Sequence, residues 1–330
     1  MSRLIVTDYT FPTLDVEVRR LAPLGITVEG IRPDDRAELL MKLPSADYVL
    51  TQFARLDADA IGCMEKAKVI VRYGIGVDNV DLDAARERQI PVCNVPDYCI
   101  DEVADHTVAL ILASTRRIVE NANHVSRGHW GLPIAIEAMR CLKAMTVGIV
   151  GFGRIGREVA ARLAPFKCRI VVSDPGVSAF DIEEAGCEPT SFENLLINSD
   201  VVTLHCPAIP STQGLLNADA IDAMKPGSIL VNVARGNIVD TAALVEGLRS
   251  GKIGFAALDV LDPEPPPAQH PLLEMSNVIL NSHVASASSD AMLKLRNDAA
   301  SIVALACEGR PLPNVVNGVK TPVRAVLAAQ

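Results

Sequence analysis

The sequence lacks the features that mark disulfide-stabilised, membrane-spanning or nucleic-acid-binding proteins. Its 8 cysteines include no C-x-x-C pair, which is typical of reduced cytoplasmic thiols and argues against a disulfide framework or a zinc site. Apolar stretches such as residues 108–113 are far shorter than the roughly 20 residues that span a bilayer. No run of Lys or Arg appears, and the net charge is -9, so we expect no binding to nucleic acid or to anionic membranes.

The amino-terminal segment is not typical of an export signal. MSRLIVTDYTF has a short apolar stretch that ends at Asp8, which is the pattern of a strand. The composition, 49% apolar and 22% charged, is that of a globular chain, and 330 residues exceed the usual size of one core. We therefore expect a cytoplasmic protein of two domains that has no metal site.

Short β-rich segments alternate with amphipathic segments along the chain. RLIVTD, ITVEG, YVLTQ, KVIVRYG and PVCNV form a first series, and MTVGIVG, RIVVSDP, DVVTLHCP, SILVNVA, FAALDV and NVILNSH form a second. Strands separated by helices are typical of parallel βα units. The sequence therefore predicts an α/β protein with two doubly wound parallel sheets.

The segments outside these two series predict how the domains are connected. DEVADHTVALILASTRRIVENANHVSRG has the apolar spacing of one long helix that opens after Asp101, and AMLKLRNDAASIVALACEG predicts another helix near the end. Because the last part of the chain supplies no strands for a third sheet, we expect it to pack on the first domain. This predicts a discontinuous first domain of residues 1–101 and 291–330, with residues 102–290 inserted into it and a cleft between the two.

A glycine-rich segment at the start of the second series predicts a dinucleotide site. Gly151, Gly153 and Gly156 form G-x-G-x-x-G between the strand segment MTVGIV and the helical segment REVAARLA. The first glycine allows a tight turn, the second lets the backbone approach a pyrophosphate, and the third allows helix and strand to pack closely. The free N–H groups at the helix N-terminus would then face the phosphate charge.

An acidic residue at the end of the next predicted strand favours NAD over NADP. Asp174 follows RIVVS, where a carboxylate accepts hydrogen bonds from the adenosine ribose hydroxyls and repels a 2′-phosphate. The alternative is a glycine-rich turn in another Rossmann protein, such as a SAM-dependent methyltransferase. Tight NADH binding that depends on Asp174 would exclude that alternative.

Three further polar residues follow predicted strands of the second series. Arg235 lies in VNVARGNIVD, Glu264 in LDVLDPEPP and His283 in NSHVAS, and open α/β sheets bind ligands at the carboxyl ends of their strands. Hydride transfer from a hydroxy acid needs a base, which histidine supplies near neutral pH, and a cation for the carboxylate and keto oxygen. Glu264 would stabilise the protonated imidazole and fix its tautomer. Each residue alone has an ordinary structural explanation, so the prediction depends on their joint placement.

Several of these motifs occur together in one known family. Through GFGRIG with Asp174, LHCP, NVARG, LDVLDPEP and SHVA, the chain resembles the D-isomer-specific 2-hydroxyacid dehydrogenases from about residue 45 to 315. The resemblance implies a Rossmann NAD-binding domain inserted into a discontinuous flavodoxin-like substrate domain, with Arg235, Glu264 and His283 catalytic in the roles given above. It also implies a homodimer, in which RGHWGLPIAIEAMRCLKAM would form an exchanged arm.

The same resemblance assigns further contacts. VRYGIGVDNVDL is similar to the family's substrate loop, in which the backbone N–H groups of Ile75 and Gly76 would hold a carboxylate. Successive amides of a glycine-rich turn form an anion-binding nest, although a tight turn between strand and helix explains the same glycines. The further cofactor contacts that the resemblance implies are Arg154, Ile155, Cys206, Ala234 and Asp259.

The substrate is less sharply indicated than the chemistry. VRYGIGVDNVD, VCNVPDYC and VADHT are closest to the branch that contains phosphoglycerate dehydrogenases and C-terminal-binding-protein corepressors. Gln52 stands where the former have a phosphate-binding arginine, which disfavours a phosphorylated acid, although Arg55 lies nearby. The sequence thus predicts an NAD-dependent dehydrogenase that interconverts a D-2-hydroxy acid and its 2-keto acid. The alternatives are D-3-phosphoglycerate dehydrogenase and an NADH-sensing, corepressor-like interaction protein.

Overall fold

Strands and helices alternate through the computed structural model, which describes residues 2–31 and 35–319. The strands are β1 (Ser2–Val6), β2 (Ile26–Gly30), β3 (Tyr48–Thr51), β4 (Ile70–Arg72), β5 (Val92–Cys93), β6 (Thr146–Val150), β7 (Arg169–Ser173), β8 (Glu188–Pro189), β9 (Val201–Leu204), β10 (Ser228–Asn232), β11 (Ile253–Leu258) and β12 (Val278–Leu280). The helices are α1 (Asp15–Leu21), α2 (Arg36–Lys42), α3 (Ala58–Gly62), α4 (Leu82–Glu87), α5 (Ile100–Thr115), α6 (Ile118–Ser126), α7 (Arg154–Leu163), α8 (Ala179–Glu184), α9 (Phe192–Asn198), α10 (Ala218–Ala223), α11 (Thr241–Ser250) and α12 (Ser289–Cys307). None of the described helices is long and apolar enough to cross a membrane.

The chain divides into two compact units. The first comprises Met1–Tyr98 with Ser288–Gln330, and the second is Cys99–Ala287. These bounds lie three residues before the predicted ones, 1–101 with 291–330 and 102–290. Residues 320–330 of the predicted first domain lie outside the described residues.

The first unit contains a parallel sheet of five strands in the order β2-β1-β3-β4-β5. This is the strand order of flavodoxin-like folds, and it is the α/β architecture that the sequence predicted. The core between the sheet and its helices is aliphatic; Ile5, Val49 and Ile70 are each fully buried in it. Although α12 follows the second unit in sequence, it packs against α1 and β4 of this unit.

The second unit contains a parallel sheet of seven strands in the order β12-β11-β10-β9-β6-β7-β8. This extends the doubly wound Rossmann order: β7 and β8 are added on one side of β6, and the later strands are added on its other side, beginning with β9. Every residue of β9 and β10 is buried, because helices cover both faces of a parallel sheet. The carboxyl ends of β6, β9, β10, β11 and β12 therefore lie along one edge.

The predicted single connecting helix is wrong, because the segment forms two helices, α5 and α6. α5 begins at Ile100, and the break falls at Arg117, which has a left-handed backbone with φ +52°. Just before the break, the hydroxyls of Ser114 and Thr115 donate to carbonyls of the preceding turn, a competition with the helical pattern that bends helices. The Arg117 guanidinium lies 4.5 Å from the Phe255 ring centroid, and this cation–π contact stabilises Arg117 at the break between the two helices.

One strand was not predicted. β8 consists of Glu188 and Pro189 and pairs with β7 at the edge of the larger sheet. Proline lacks the N–H that an interior strand needs, so a strand containing it occurs at an edge. The segment has no apolar alternation, and only its pairing with β7 identifies it as a strand.

Candidate active site

The glycine-rich turn follows β6 and is shaped by steric limits at two of its glycines. Gly151 has φ +94°, and a Cβ there would lie 2.5 Å from the Cys206 backbone nitrogen. A Cβ on Gly156 would lie 2.2 Å from the Gly151 carbonyl oxygen, so helix α7 meets the turn without room for a side chain. These positions fit the tight turn and close packing that a dinucleotide turn requires.

The middle of the turn is open. Gly153 precedes α7 and has no atom within 4 Å of the place where a Cβ would stand, so its backbone is accessible. No side chain caps the N-terminus of α7, which begins with Arg154 and Ile155. The first N–H groups of the helix are therefore oriented to meet an anion, which is what the pyrophosphate of NAD supplies. The residues present fit that cofactor.

Asp174 lies just past the end of β7 and faces this turn. Its Oδ2 accepts a hydrogen bond from the Phe152 N–H at 2.6 Å, and its Oδ1 accepts one from the Gly176 N–H at 2.8 Å. The two bonds orient the carboxylate beside the glycine turn. A carboxylate has about four acceptor positions, so both oxygens keep capacity for ribose hydroxyls.

The loop after β9 covers the other side of the glycine turn. The His205 N–H donates to the Val150 carbonyl at 2.7 Å, and Cys206 packs on Gly151. Burial raises the pKa of the Cys206 thiol to about 11, with a further contribution from the Asp174 charge. The thiol is therefore neutral at physiological pH. Among the described residues, no cluster of three or more His, Cys, Asp or Glu is arranged to hold a metal ion.

Arg235 stands in the turn after β10, and a residue that the sequence reasoning missed fixes that turn. The buried side chain of Asn232 donates to the Arg235 carbonyl at 2.9 Å and accepts from the Ala234 N–H at 3.0 Å. The Arg235 guanidinium donates back to the Ala234 carbonyl at 2.7 Å. Asn232 thus closes the turn from inside, and the available signal was its position directly after the apolar residues Ile229–Val231 at the end of the strand.

Glu264 and His283 form a hydrogen-bonded pair. The His283 Nδ1 lies 2.7 Å from the Glu264 Oε2, and the other carboxylate oxygen, Oε1, accepts from the Leu261 N–H at 2.9 Å. Burial alone would raise the pKa of Glu264. The hydrogen bond and charge of His283, the Leu261 N–H and the charge of Arg235 outweigh burial, so the pKa of Glu264 is lowered. The carboxyl is therefore ionised at neutral pH, and the structure brings all three predicted catalytic side chains into one electrostatic group.

Gly236 brings the Arg235 and Glu264 loops together and was also missed. A Cβ on Gly236 would lie 2.0 Å from both the carbonyl carbon and the carbonyl oxygen of Leu261 and 2.5 Å from the Asp262 nitrogen. Only a glycine allows the turn after β10 to touch the backbone that leads into Glu264. Its place directly after Arg235 in VNVARGN was the only sequence signal.

Asp259, predicted as a cofactor contact, directly follows β11 and is only 1% exposed. Its carboxylate accepts hydrogen bonds from the Val284 and Ala285 N–H groups at 2.9 Å each, and its carbonyl accepts from the His283 N–H at 2.7 Å. Asp259 therefore holds the turn that carries His283.

The predicted substrate loop belongs to the first unit and follows β4. Gly74 has φ +146°, and the Asn94 side chain donates to the Ile75 carbonyl at 2.6 Å. Within residues 2–31 and 35–319, the N–H groups of Ile75 and Gly76 donate no hydrogen bond. Two consecutive partly exposed amides of this kind fit an anion-binding nest.

Gln52 directly follows β3 in the same unit, and its side chain forms hydrogen bonds with Thr10. Its Oε1 accepts from the Thr10 N–H at 2.8 Å, and its Nε2 donates to the Thr10 hydroxyl at 3.1 Å. The buried carboxylate of Asp8 accepts from the Gln52 and Phe53 N–H groups at 2.9 and 2.6 Å. This position therefore presents a neutral amide beside a buried acid.

Comparison with known proteins agrees with this geometry. Residues 108–285 match the model for the D-isomer specific 2-hydroxyacid dehydrogenase, NAD binding domain. A D-3-phosphoglycerate dehydrogenase of Archaeoglobus fulgidus is 37% identical over 89% of this chain and 55% of its own length, and a glyoxylate reductase of Aeropyrum pernix is 36% identical over 98% of both. The solved structure of a D-lactate dehydrogenase from Aquifex aeolicus, complexed with NAD and lactic acid, is 28% identical, with a TM-score of 0.84 over 93% of this chain and 96% of that one.

The chain spans about half the length of the phosphoglycerate dehydrogenases among these relatives, and nearly the whole of the glyoxylate reductase. The family model covers more than half of the chain, and it falls on the unit that carries the glycine turn, Asp174 and the Glu264–His283 pair. The chain therefore belongs to the D-isomer-specific 2-hydroxyacid dehydrogenases, and its second unit contains the NAD-binding domain of that family.

Proposed function

We propose that the protein is an NAD-dependent oxidoreductase that transfers a hydride between NAD(H) and a D-2-hydroxy acid or its 2-keto acid. The observation that carries the proposal is the Glu264–His283 hydrogen bond of 2.7 Å, within reach of the Arg235 charge. An acid/base pair and a guanidinium at neighbouring strand ends, in the unit that carries a dinucleotide turn, are the parts that this reaction needs.

The roles of the three residues follow from their contacts. Bound NAD would supply the hydride acceptor or donor, held by the glycine turn and by Asp174. Because Glu264 engages Nδ1 of His283, we assign to Nε2 the proton taken from the hydroxyl in oxidation and returned in reduction. Arg235, charged at every working pH, would orient the carboxylate and polarise the keto oxygen.

We propose further contacts to the cofactor and the substrate that take no part in the proton or hydride transfer. Arg154, Ile155, Cys206, Ala234 and Asp259 would complete the cofactor site, and the amides of Ile75 and Gly76 would hold the substrate carboxylate. We propose a homodimer, supported by the exposed apolar side chains of residues 130–136. A cytoplasmic location stays a prediction, and cell fractionation tests it.

Phosphoglycerate is the second candidate substrate, because several relatives bear that name. The neutral Gln52 beside the buried Asp8 disfavours a phosphorylated acid, since a phosphate dianion there would meet a carboxylate and no guanidinium at position 52. Smaller acids such as glyoxylate and pyruvate meet no such repulsion.

Steady-state kinetics with a panel of 2-keto acids test the proposal. NADH oxidation is followed with glyoxylate, pyruvate, hydroxypyruvate and 3-phosphohydroxypyruvate, and each positive result is repeated with His283→Ala. We expect turnover of at least one unphosphorylated acid, which falls about 1,000-fold or more in the variant. Tight NADH binding without turnover of any acid would instead support the corepressor-like alternative. Preference for the phosphorylated acid would support phosphoglycerate.

A further inference from the structure

The turn that presents His283 has an unusual backbone. His283 has φ +55°, in the left-handed region that residues other than glycine rarely adopt. Such a conformation is strained and persists only where the surroundings enforce it. What enforces it therefore also sets where the imidazole points.

Three N–H groups of this turn converge on one residue. Those of His283, Val284 and Ala285 donate to the carbonyl and the two carboxylate oxygens of Asp259, at 2.7, 2.9 and 2.9 Å. Because Asp259 is 1% exposed, its charge is removed from water and depends on protein groups for stabilisation. The position of His283 thus depends on the hydrogen bonds that its turn makes to a buried carboxylate.

A second histidine faces that carboxylate from α5. The Nε2 of His106 lies 3.8 Å from Asp259 Oδ1, and α5 packs against β10 and β11. This ring nitrogen is buried and, within the described part of the chain, makes no hydrogen bond. The gap exceeds a hydrogen bond by less than about 1 Å, so a small movement of either side chain closes it.

We propose that His106 is a positioning residue for the reaction. Its imidazole stabilises the Asp259 carboxylate at Oδ1, the oxygen that also accepts from the Val284 N–H. Asp259 in turn holds the left-handed backbone that presents His283 to the substrate. His106 itself touches no reacting atom. The proposal rests on the proposed function, since it assigns His106 a role in presenting the acid/base residue.

The competing explanation is that His106 only fills space beneath the turn. An apolar side chain of similar size would then serve equally well. A positioning role instead requires a polar N–H donor at this place, because the partner is a carboxylate. His106→Leu and His106→Gln separate the two explanations, since the glutamine keeps a donor and the leucine does not.

The experiment measures three quantities on the full chain: kcat and KM with the best 2-keto acid, the NADH Kd by fluorescence quenching, and hydrogen exchange of residues 282–286. We expect His106→Leu to lower kcat by about 10- to 100-fold, as for misplacement of a catalytic group, with the NADH Kd changed less than twofold. Exchange at Val284 and Ala285 should accelerate. His106→Gln should recover most of both losses. Asp105→Asn is the matched control, because this neighbour on the same turn of α5 pairs instead with Arg162; its kcat should be unchanged.

Two results would overturn the proposal. In one, His106→Leu keeps the native kcat and the native exchange of residues 282–286. In the other, the leucine and glutamine variants lose thermal stability, NADH binding and activity to the same extent, as a purely structural residue would. If the native chain turns over no acid, the proposed function fails separately, while the exchange of residues 282–286 still decides whether His106 holds the turn.

Discussion

At the scale of single residues, the ionised Glu264 carboxylate is the feature that sets the pH dependence. Burial alone would raise its pKa, but the hydrogen bond and charge of His283 lower it, so Glu264 carries a negative charge at neutral pH, 2.7 Å from the His283 Nδ1. Oxidation of a hydroxy acid needs the unprotonated imidazole. Glu264→Gln removes this negative charge from beside the base, so the acidic limb of the kcat/KM profile should move to lower pH.

Glutamine suits this test because it keeps the size of the side chain and an oxygen to accept the Leu261 N–H. The profile is measured for oxidation of the best hydroxy acid, with thermal unfolding as the control for folding. An acidic limb that stays in place while kcat falls would show that Glu264 orients His283 without contributing charge.

Gly236 permits a second residue-scale prediction. A Cβ in Gly236→Ala would overlap the Leu261 carbonyl, so the Arg235 turn and the Glu264 loop must separate. We expect kcat/KM to fall about 100-fold, because a displacement of about 1 Å at a catalytic constellation has that effect, while NADH binding stays within a few-fold of native. Gly62→Ala is the control, since nothing lies within 4 Å of a Cβ there. Equal activity of the two variants would contradict the assigned contact.

The sequence predicted the candidate catalytic residues but not the residues that hold their loops in place. Arg235, Glu264 and His283 were predicted because each follows a strand that apolar runs identify. Asn232 and Gly236 were not, since their function depends on backbone contacts: Asn232 closes its own turn, and Gly236 meets Leu261 of another loop. The left-handed conformation of His283 likewise has no sequence signature.

At the scale of elements, a buried ion pair joins α12 to α1. Arg296 donates to both carboxylate oxygens of Glu17, at 2.9 and 2.7 Å, and Glu17 is fully buried. The Tyr73 hydroxyl also donates to Glu17, at 3.0 Å, and Arg296 lies 4.8 Å from the Phe11 ring centroid. Since the carboxylate has no access to water, its charge depends on this pair.

Removing one partner should therefore cost more than removing both. Arg296→Met leaves the Glu17 charge buried, and we expect unfolding of the first unit to become easier by about 3–5 kcal/mol, measured by urea denaturation. Combining it with Glu17→Leu should recover part of that loss. Arg310→Met, at an exposed pair with Glu308, is the control and should change stability by less than about 1 kcal/mol. A double variant less stable than Arg296→Met would contradict the argument.

Elements were predicted well where the pattern was local and poorly where distant contacts decide. β9 and β10 were recognisable because each is a short, mainly apolar run, and every residue of both strands is buried. The break between α5 and α6 was not, because the helical spacing continues through Arg117, whose position depends on Phe255, far away in sequence.

At the scale of the whole molecule, the two-sheet α/β architecture was predicted and is confirmed, whereas the order of strands within each sheet required the structure. Alternating strands and helices specify parallel units, and the glycine turn identifies β6 as the strand that begins the nucleotide-binding half. Which strands become neighbours depends on packing between residues that are distant in sequence.

The segment after α6 leads to a prediction about assembly. Trp130 is 91% exposed, Leu132 55% and Ile136 66%, so three large apolar side chains within seven residues contact water in the single chain. Such clustering is typical of interaction surfaces. If a second copy buries them, replacing all three by serine should raise the dimer Kd by at least about 100-fold, since each buried apolar side chain contributes about 1.5–3 kcal/mol.

Sedimentation of the native chain and of the triple serine variant over a range of concentrations measures this change. A dimer that dissociates on dilution also unfolds at a temperature that depends on concentration, and the variant should lose that dependence. Phe180→Ser is the control, because Phe180 is as exposed as Ile136 but lies on α8, outside this segment. A native chain that sediments as a monomer at every concentration would refute the dimer. If the Phe180 variant dissociates as readily as the triple serine variant, the loss of the dimer is not specific to residues 130–136, and the assignment of the interface to that segment is wrong.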